Sequence, residues 1–502
     1  MQRIANPVLI PFEFLFINVS SFYFNSSLFI CSASDALQEK TNILSDQIWD
    51  AAETAFSEVK SAAYLKEYLA SEGFTIASGV ADIPTAFTAT YGSGRPYIGL
   101  LAEYDALSGL SQKAGVAEQK PLATGGNGHG CGHNLLGAGC AHAGVLIKRY
   151  LAETGKSGTV IVFGCPAEEG GSGKTRMAGK GVFAGLDCAL SWHPGEYSGV
   201  VPASTMANIQ VNYRFHGKAS HAASSPYMGR SALDAVELMN VGSNYLREHI
   251  PPGCMLHYAV LNTGGFSLNV VQAEAETTYL IRGAKVEDAA AVKARVDKIA
   301  QGAALMTETE VEILFQKACS HYMPNSVLGK LLTECLNAVG TPTYDEDDLA
   351  FANAIRATTP SKTESSGLLK KLLLPMLPAE QKAAAEQMFS AEFNTICLPA
   401  VTMRQTVPGS TDVGDVSLNC PVSWFQYVTC AQGTPAHSWQ MVAQGKSGAA
   451  HKGTVQAGKV IALAAIRLLE DETILPQAWE EFLSSMDGKR YVCPIPDEYN
   501  KL

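Results

Sequence analysis

Between Asp35 and Gly73 apolar residues recur at helical spacing (Leu44, Ile48, Trp49, Ala52, Phe56, Val59), which predicts helix up to a stop at Glu72-Gly73. Short apolar runs then alternate with helical ones. Tyr97–Ala102, Gly158–Cys165 and Ala189–Trp192 read as strands, and Leu135–Leu151 reads as a helix. Strands alternating with helices predict an α/β/α sandwich around a largely buried sheet. From residue 208 to 316 the texture changes. Alternating strands (Ile209–Phe215, Leu256–Leu261, Glu274–Ile281) are interleaved with amphipathic helices at Ser231–Glu248 and Glu287–Leu305. That order, βαββαβ, is an inserted α+β unit of the split βαβ kind. The expected organisation is a two-domain α/β chain: 35–207 and 317–502 form the sandwich, 208–316 the insert. Within the last segment, residues 343–395 read as a charged, Ala-rich helical insertion, Pro408–Ser417 as a loop, and Ala449–Leu469 as a final helix.

The first 34 residues stand apart. Phe14–Ser34 carries no charge and many aromatics, yet Asn18, Ser20, Ser21, Asn25, Ser26 and Ser27 interrupt the apolar run. That pattern is a poor membrane span, so the segment is expected to lie outside the core, as a signal-like stretch or residues upstream of the true start. The formal net charge of −11 argues against nucleic acid and polybasic membrane contacts. Twelve cysteines without a C-x-x-C pair fit neither a disulfide scaffold nor a zinc finger; they predict free thiols in a reducing, cytoplasmic compartment.

The densest chemistry is Gly125-Gly-Asn-Gly-His-Gly-Cys-Gly-His-Asn134, with His129, Cys131 and His133 at i, i+2 and i+4. In an extended chain this spacing projects all three to one side, suited to a divalent cation. A dinucleotide fingerprint fails there, because the third glycine it requires is Cys131. A second cluster, Cys165 to Thr175, ends in Gly173-Lys174-Thr175 and imitates a phosphate loop. The glycine required five residues earlier is Glu168, and two carboxylates would face the phosphates. Adjacent Glu168 and Glu169 at a strand end point in different directions, so one can bind a metal while the other acts as general base. Glu103-Tyr104-Asp105, His193 and His437 complete a set of candidates at strand ends of one sheet, where an open α/β fold places its site. His216, His249, His257 and His321 have no comparable setting; His142 reads as packing and His451 as a weaker rival to His437.

With these residues the chain resembles the di-metal amidohydrolases of the aminoacylase and glutamate carboxypeptidase family, in the branch with a Cys ligand. The resemblance runs from about Asp35 to Ile495, through Gly128-His-Gly-Cys-Gly-His-Asn-Leu-Leu-Gly137, Pro166-Ala-Glu-Glu-Gly-Gly-Ser-Gly-Lys-Thr175, Ser410-Thr-Asp-Val-Gly-Asp-Val-Ser417 and Cys493-Pro-Ile-Pro496. It implies two divalent ions per protomer, Mn2+ or Zn2+, held by Cys131, His133, Glu169, His193 and His437, with Glu168 as the base. Asp105 matches an acid that orients a ligand from behind. Glu103 stands where other members have a ligating His, and Asn134 where many of the branch have Asp. The resemblance makes the insert a lid and dimerisation domain whose His221 reaches across a dimer to stabilise an oxyanion, with Asn269 and Arg282 holding substrate. Without it, His221 would read as a turn cap and Arg282 as a strand-edge ion pair.

The activity so implied is hydrolysis of an amide between an acyl group and an amino acid, with p-aminobenzoyl-glutamate, a folate catabolite, as the expected small-molecule substrate. A related dipeptidase or N-acyl-amino-acid hydrolase is the alternative within that class. From a different class, the chain could be a non-catalytic partner of a paralogous hydrolase. The expected assembly is a homodimer through the lid, or a hetero-oligomer with such a paralogue.

Overall fold

A computed structural model describes residues 20–359, 391–399 and 406–500, together with residues 374, 379, 382 and 386. Among these residues thirteen strands are numbered in chain order: β1 (Thr75–Ser78), β2 (Phe87–Ser93), β3 (Tyr97–Glu103), β4 (Gly158–Cys165), β5 (Cys188–Gly195), β6 (Gly199–Val200), β7 (Ser204–Thr205), β8 (Ala207–His216), β9 (Met255–Asn262), β10 (Glu274–Gly283), β11 (Glu310–Cys319), β12 (Thr406–Val407) and β13 (Val422–Val428). The larger sheet has the order β1-β2-β4-β3-β5-β13-β6. Its centre, β4, β3, β5 and β13, is parallel. Glu103, Cys165, Gly195 and Val428 therefore end their strands along one edge, and this is where the site forms.

The apolar runs of the central strands are continuous because both faces are covered. Leu100, Val162, Leu190 and Trp192 pack under the helices His133–Thr154 and Gly448–Glu470, whereas Leu101, Phe163, Cys165 and Ala189 join Met177, Phe183, Val413 and Val416 on the opposite face. The result is the expected sandwich. The second sheet, β11-β8-β10-β9, is antiparallel throughout. One face buries alternate residues (Val211, Tyr213, Phe215, Tyr279, Ile281) beneath the helices Ala232–Leu246 and Val286–Thr307. β7 pairs with β12 in parallel, tying the entrance of this unit to the segment that leads into residues 408–412.

The structure differs from the sequence expectation in several places. The first stretch after residue 35 is two helices, Gln38–Ala51 and Val59–Ser71. They are separated where Ala52 and Phe56 take positive φ of 41° and 60°. The break is functional in shape: Glu53 caps the second helix at the N–H groups of Lys60 and Ser61, and its carbonyl accepts the N–H of Ala106, just past Asp105. Within 408–417, Val413–Ser417 is a short helix rather than loop. The charged insertion begins as the helix Glu346–Thr358, and most of residues 360–390 lie outside the described residues. No helix of the described residues is long and apolar enough to cross a membrane.

The N-terminal segment is also corrected, because its end is part of the core. The helix Ser20–Asp35 buries Ile30, and Ser34 Oγ lies 2.9 Å from Nε2 of the fully buried His142. Thr41 Oγ1 donates to the carbonyl of Leu37 and lies 2.8 Å from Nδ1 of the same ring. With its proton committed to Leu37, that hydroxyl accepts from Nδ1–H, and Nε2 accepts from Ser34. Burial pulls the His142 pKa down to about 3, so the ring is neutral and both nitrogens need these partners. Thr41→Val leaves Nδ1–H unpaired and is expected to cost about 1–3 kcal/mol of unfolding free energy, read from urea denaturation midpoints. An unchanged midpoint would remove this bond from the account.

Candidate metal centre

Cys131 and His133 come from the glycine-rich segment, but not as an extended chain. Gly132 takes φ of 81° and caps the helix that starts at His133, so the chain turns between the two side chains. His129 faces away from both: its Nε2 bonds the carbonyl of Ile48 at 3.0 Å, and burial holds its pKa down to about 3. Alternation in an extended strand would have grouped it with the others; the chain is instead curled, the N–H of Gly130 bonding the carbonyl of Gly128 and that of Gly132 the carbonyl of His129. Asn134 is equally structural, donating to Ser45 Oγ and to the carbonyl of Gly445.

His193 is delivered by the end of β5, Glu168 and Glu169 by the turn after β4, and His437 by the loop after β13. Each delivery bends the backbone hard. Ala167, Ser172 and His437 have positive φ of 59°, 55° and 53°, and each such residue costs on the order of 1–3 kcal/mol. Three non-glycine residues held this way around one pair of glutamates mark a constrained site. Glu58, which nothing in the sequence singled out, fixes the turn by accepting the N–H of Ala167 at 2.9 Å. Burial, with Asp105 adding to it, raises the Glu58 pKa to about 7.

The side chains converge as two triads that share Cys131, and a third group adjoins them through His133. Cys131, His133 and His193 form one triad, Cys131, Glu169 and His437 the other, and Glu103, His133 and Glu168 the adjoining group, with all donor atoms of each within 4.8 Å of one another. Cys131 Sγ lies 3.4 Å from His193 Nε2, and His437 Nε2 lies 3.3 Å from Glu169 Oε1. Donors about 2.1 Å from a tetrahedral ion stand roughly 3.4 Å apart, so these spacings suit one. Nε2 of His133 and Oε1 of Glu169 are buried without a hydrogen-bond partner, as atoms reserved for a cation would be. Asp105 serves both triads: Oδ1 takes Nδ1 of His133 at 2.8 Å, leaving Nε2 as the ligating atom, while Oδ2 accepts the N–H of Glu169 at 2.9 Å. The expected ligands and Asp105 are therefore brought together.

Electrostatics follow from this crowding. Burial alone would push the Cys131 thiol up, but the His193 and His133 rings beside it bring it down to about 6. Cys131 and Glu169, facing the ring as acceptors, raise His437 to about 10. Burial opposes it, but His437 and His133 keep the Glu169 carboxyl near 2. Glu168 goes the other way: burial, then the charges of Glu103, Asp412 and Glu169, push it well above the usual carboxylate range. The two adjacent glutamates thus divide into an ionised carboxylate and a proton-binding group.

The triads line a cavity of about 510 Å³ whose other walls are largely apolar, among them Trp192, Tyr197, Val200, Leu398 and Trp424. Arg282 reaches its edge, donating to Ser410 Oγ, and Ser410 lines the cavity. His221 and Asn269 do not line it. They adjoin each other on the second domain, where the carbonyl of Asn269 accepts the N–H of Ala222. His451 pairs with Asp46 and stays outside the site.

A parallel sheet with helices on both faces, carrying a Cys, His and Glu donor set at its strand ends, defines a metal-dependent hydrolase of amide bonds. The model of peptidase family M20/M25/M40 matches residues 99–359, just over half of the chain, and the chain belongs to that family. It is 45% identical over 468 residues to one of the p-aminobenzoyl-glutamate hydrolase subunits of Escherichia coli (strain K12), covering 93% of this chain and 97% of that protein. Another p-aminobenzoyl-glutamate hydrolase subunit from the same organism is 30% identical over 260 residues, 48% of this chain and 57% of that one. Among solved structures, a dinuclear metal binding peptidase of the M20 family from Bacillus subtilis superposes with a TM-score of 0.53 at 17% identity, over 87% of this chain and 99% of the other.

The imidazoles carry protons that a cation must displace, so uptake of Zn2+ near neutral pH is expected to release protons, and affinity to weaken as pH falls. Calorimetry in buffers of different ionisation enthalpy counts them; buffer-independent heats would contradict the charge states above.

Proposed function

We propose that the chain hydrolyses the amide bond of p-aminobenzoyl-glutamate, releasing p-aminobenzoate and glutamate, with two divalent ions held by the two triads that share Cys131. The observation that carries this reading is the division of Glu168 from Glu169 beside that donor set. The 45% identity to a p-aminobenzoyl-glutamate hydrolase subunit over nearly the whole chain supports the substrate. Thiolate and imidazole donors suit Zn2+, and the carboxylate-containing triad also suits Mn2+.

Bound ions would polarise the amide carbonyl and acidify a water. With ions bound beside it, Glu168 would be ionised, and its carboxylate would accept the proton of the attacking water and return it to the departing nitrogen. Trp192, Tyr197 and Trp424 give the aroyl ring apolar walls that keep competing water out. Arg282 at the rim has the planar fork that matches the glutamate α-carboxylate.

His221 is compatible with both readings of it, a turn cap and a donor across a dimer. Its Nδ1 accepts the N–H groups of Ala223 and Ser224, each at 3.1 Å, so the neutral ring carries its proton on Nε2 and is preset as a donor. In this chain that donor is exposed and away from the cavity, which suits delivery to the site of a second protomer. β9 is the free edge of its sheet, with Val260 and Leu261 exposed, and Phe266 and Leu268 beyond it are 100% and 92% exposed. Apolar residues on an open edge fit a second copy of this chain or a paralogue like the 30%-identical hydrolase relative. All twelve cysteines are unpaired, in keeping with the cytoplasm.

The test is hydrolysis of p-aminobenzoyl-glutamate by the metal-loaded protein, with and without a paralogous partner, beside a panel of neutral dipeptides. Faster cleavage of the dipeptides would sink the substrate assignment. Glu168→Ala is expected to keep both ions, measured by elemental analysis, and to lose roughly 10²–10⁴-fold in kcat. Retained turnover would show the base to be misassigned.

A further inference from the structure

The Gly173-Lys174-Thr175 sequence that imitates a phosphate loop has no part in the hydrolysis described above, yet its lysine is the most enclosed cation near the site. Lys174 is fully buried, with Nζ 2.7 Å from Oε1 of Glu103 and 2.6 Å from Oδ1 of Asp412. Its own N–H donates to the other oxygen of Asp412 at 2.8 Å, so the aspartate grips the residue at both ends. The seven-residue helix Gly173–Gly179 cannot drift from this position. A Cβ on Gly173 would stand 1.9 Å from the carbonyl of Pro166, and Thr175 Oγ1 bonds Asp415 at 2.6 Å on the neighbouring helix.

The significance lies on the far side of Glu103. Its second oxygen, Oε2, lies 3.3 Å from Nε2 of His133, the atom that Asp105 leaves free for a metal. That spacing is close to the roughly 3.4 Å edge of a tetrahedral zinc site. A buried ammonium is costly unless closely paired. Here its pairing aims one carboxylate oxygen at one place.

We propose that Lys174, anchored by Asp412, is a positioning residue of the metal centre: it fixes the Glu103 carboxylate beside Nε2 of His133, where Glu103 closes one side of the ion held by Cys131, His133 and His193. Lys174 thereby occupies the acidic recess formed by Glu103 and Asp412 with a fixed cation, and only one oxygen of Glu103 faces the ion. The proposal rests on the two-ion reading given above.

The test uses the full chain, stripped and reloaded with Co2+, and follows stoichiometry, chelator competition, the visible spectrum and thermal melting. K174M/D412N removes one positive and one negative charge, so the net charge of the cluster is kept while Glu103 loses its anchor. Expected are a roughly 10- to 100-fold weaker affinity for one of two ions, a shift of the d–d bands and an unchanged affinity for the other ion. E103Q is expected to reproduce that pattern, and D412N to give a smaller change in the same direction. Wild-type affinities and spectrum in K174M/D412N would overturn the proposal, whatever its melting temperature, because a merely structural ion pair would lower melting alone. Should that variant not fold, unchanged affinities in both E103Q and D412N overturn it equally. Wild-type protein that binds fewer than two ions would overturn the two-ion reading itself, and this proposal with it.

Discussion

The constraint on which the site depends is the gathering of acids in one poorly solvated volume. Glu103, Asp105, Glu168, Glu169 and Asp412 lie at or behind the ends of adjoining strands, and Glu103, Asp105 and Asp412 are at most 3% exposed. Like charges at such distances cannot all ionise without nearby cations. The chain supplies Lys174 and three imidazoles, which leaves Glu168 as the group whose proton is not displaced from within. The assignment of roles is thus a consequence of where positive charge is available. Glu168 comes within 4.8 Å of a His133 nitrogen, yet burial and the charges of Glu103, Asp412 and Glu169 outweigh the nearby cations and push its pKa well up.

Holding such a cluster requires backbone that does not relax. The sheet supplies most of the rigidity, because β3, β4, β5 and β13 are covered on both faces and end at one edge. The remainder comes from strained turns fixed by buried polar contacts, Glu58 on Ala167 and the carbonyl of Gly130 on the N–H of His437. A strained residue persists only if its surroundings over-determine it. The left-handed Ala167 and His437 are in that sense signatures of the site that do not depend on its chemistry.

This explains what could be read from the sequence and what could not. Strands buried on both faces are near-continuous apolar runs, so β4 was legible to the residue and β3 to within one, whereas only the Ala189–Trp192 centre of β5 was read, because His193-Pro194-Gly195 breaks its apolar run. The insert was legible as well, since its strands alternate and its helices are amphipathic. The metal donors were recognisable by type and by resemblance rather than by spacing. The spacing of His129, Cys131 and His133 suggested three donors on one side of a strand, but the segment is curled rather than extended and His129 bonds the carbonyl of Ile48. Periodicity also ran straight through the break at Ala52, because the apolar positions on both sides keep the same phase while the break is made by backbone conformation. Glu58 and the pairing of Lys174 with Asp412 carry no local signal at all. The partners are separated by 109 and 238 residues, and only the folded sheet brings them together.

The lid poses the reverse problem, because its residues are legible but incomplete within one chain. Arg282 meets the cavity through Ser410, two residues before the aspartate that grips Lys174, so the same short segment touches both the lid and the charge network behind the metal centre. His221 and Asn269 have no such connection, and they sit near the exposed Phe266 and Leu268, a setting that suits the second protomer proposed above. A net charge of −11 would not keep the anionic substrate proposed above from this cavity. Positive charge there would be local: the guanidinium at the cavity edge and any cations held by the two triads. Net charge governs association at long range and is screened within about 10 Å at ordinary ionic strength, whereas the field inside a narrow, largely apolar cavity is set by the groups that line it. The acidic surface and the anion-binding cavity are therefore compatible, since they act over different distances.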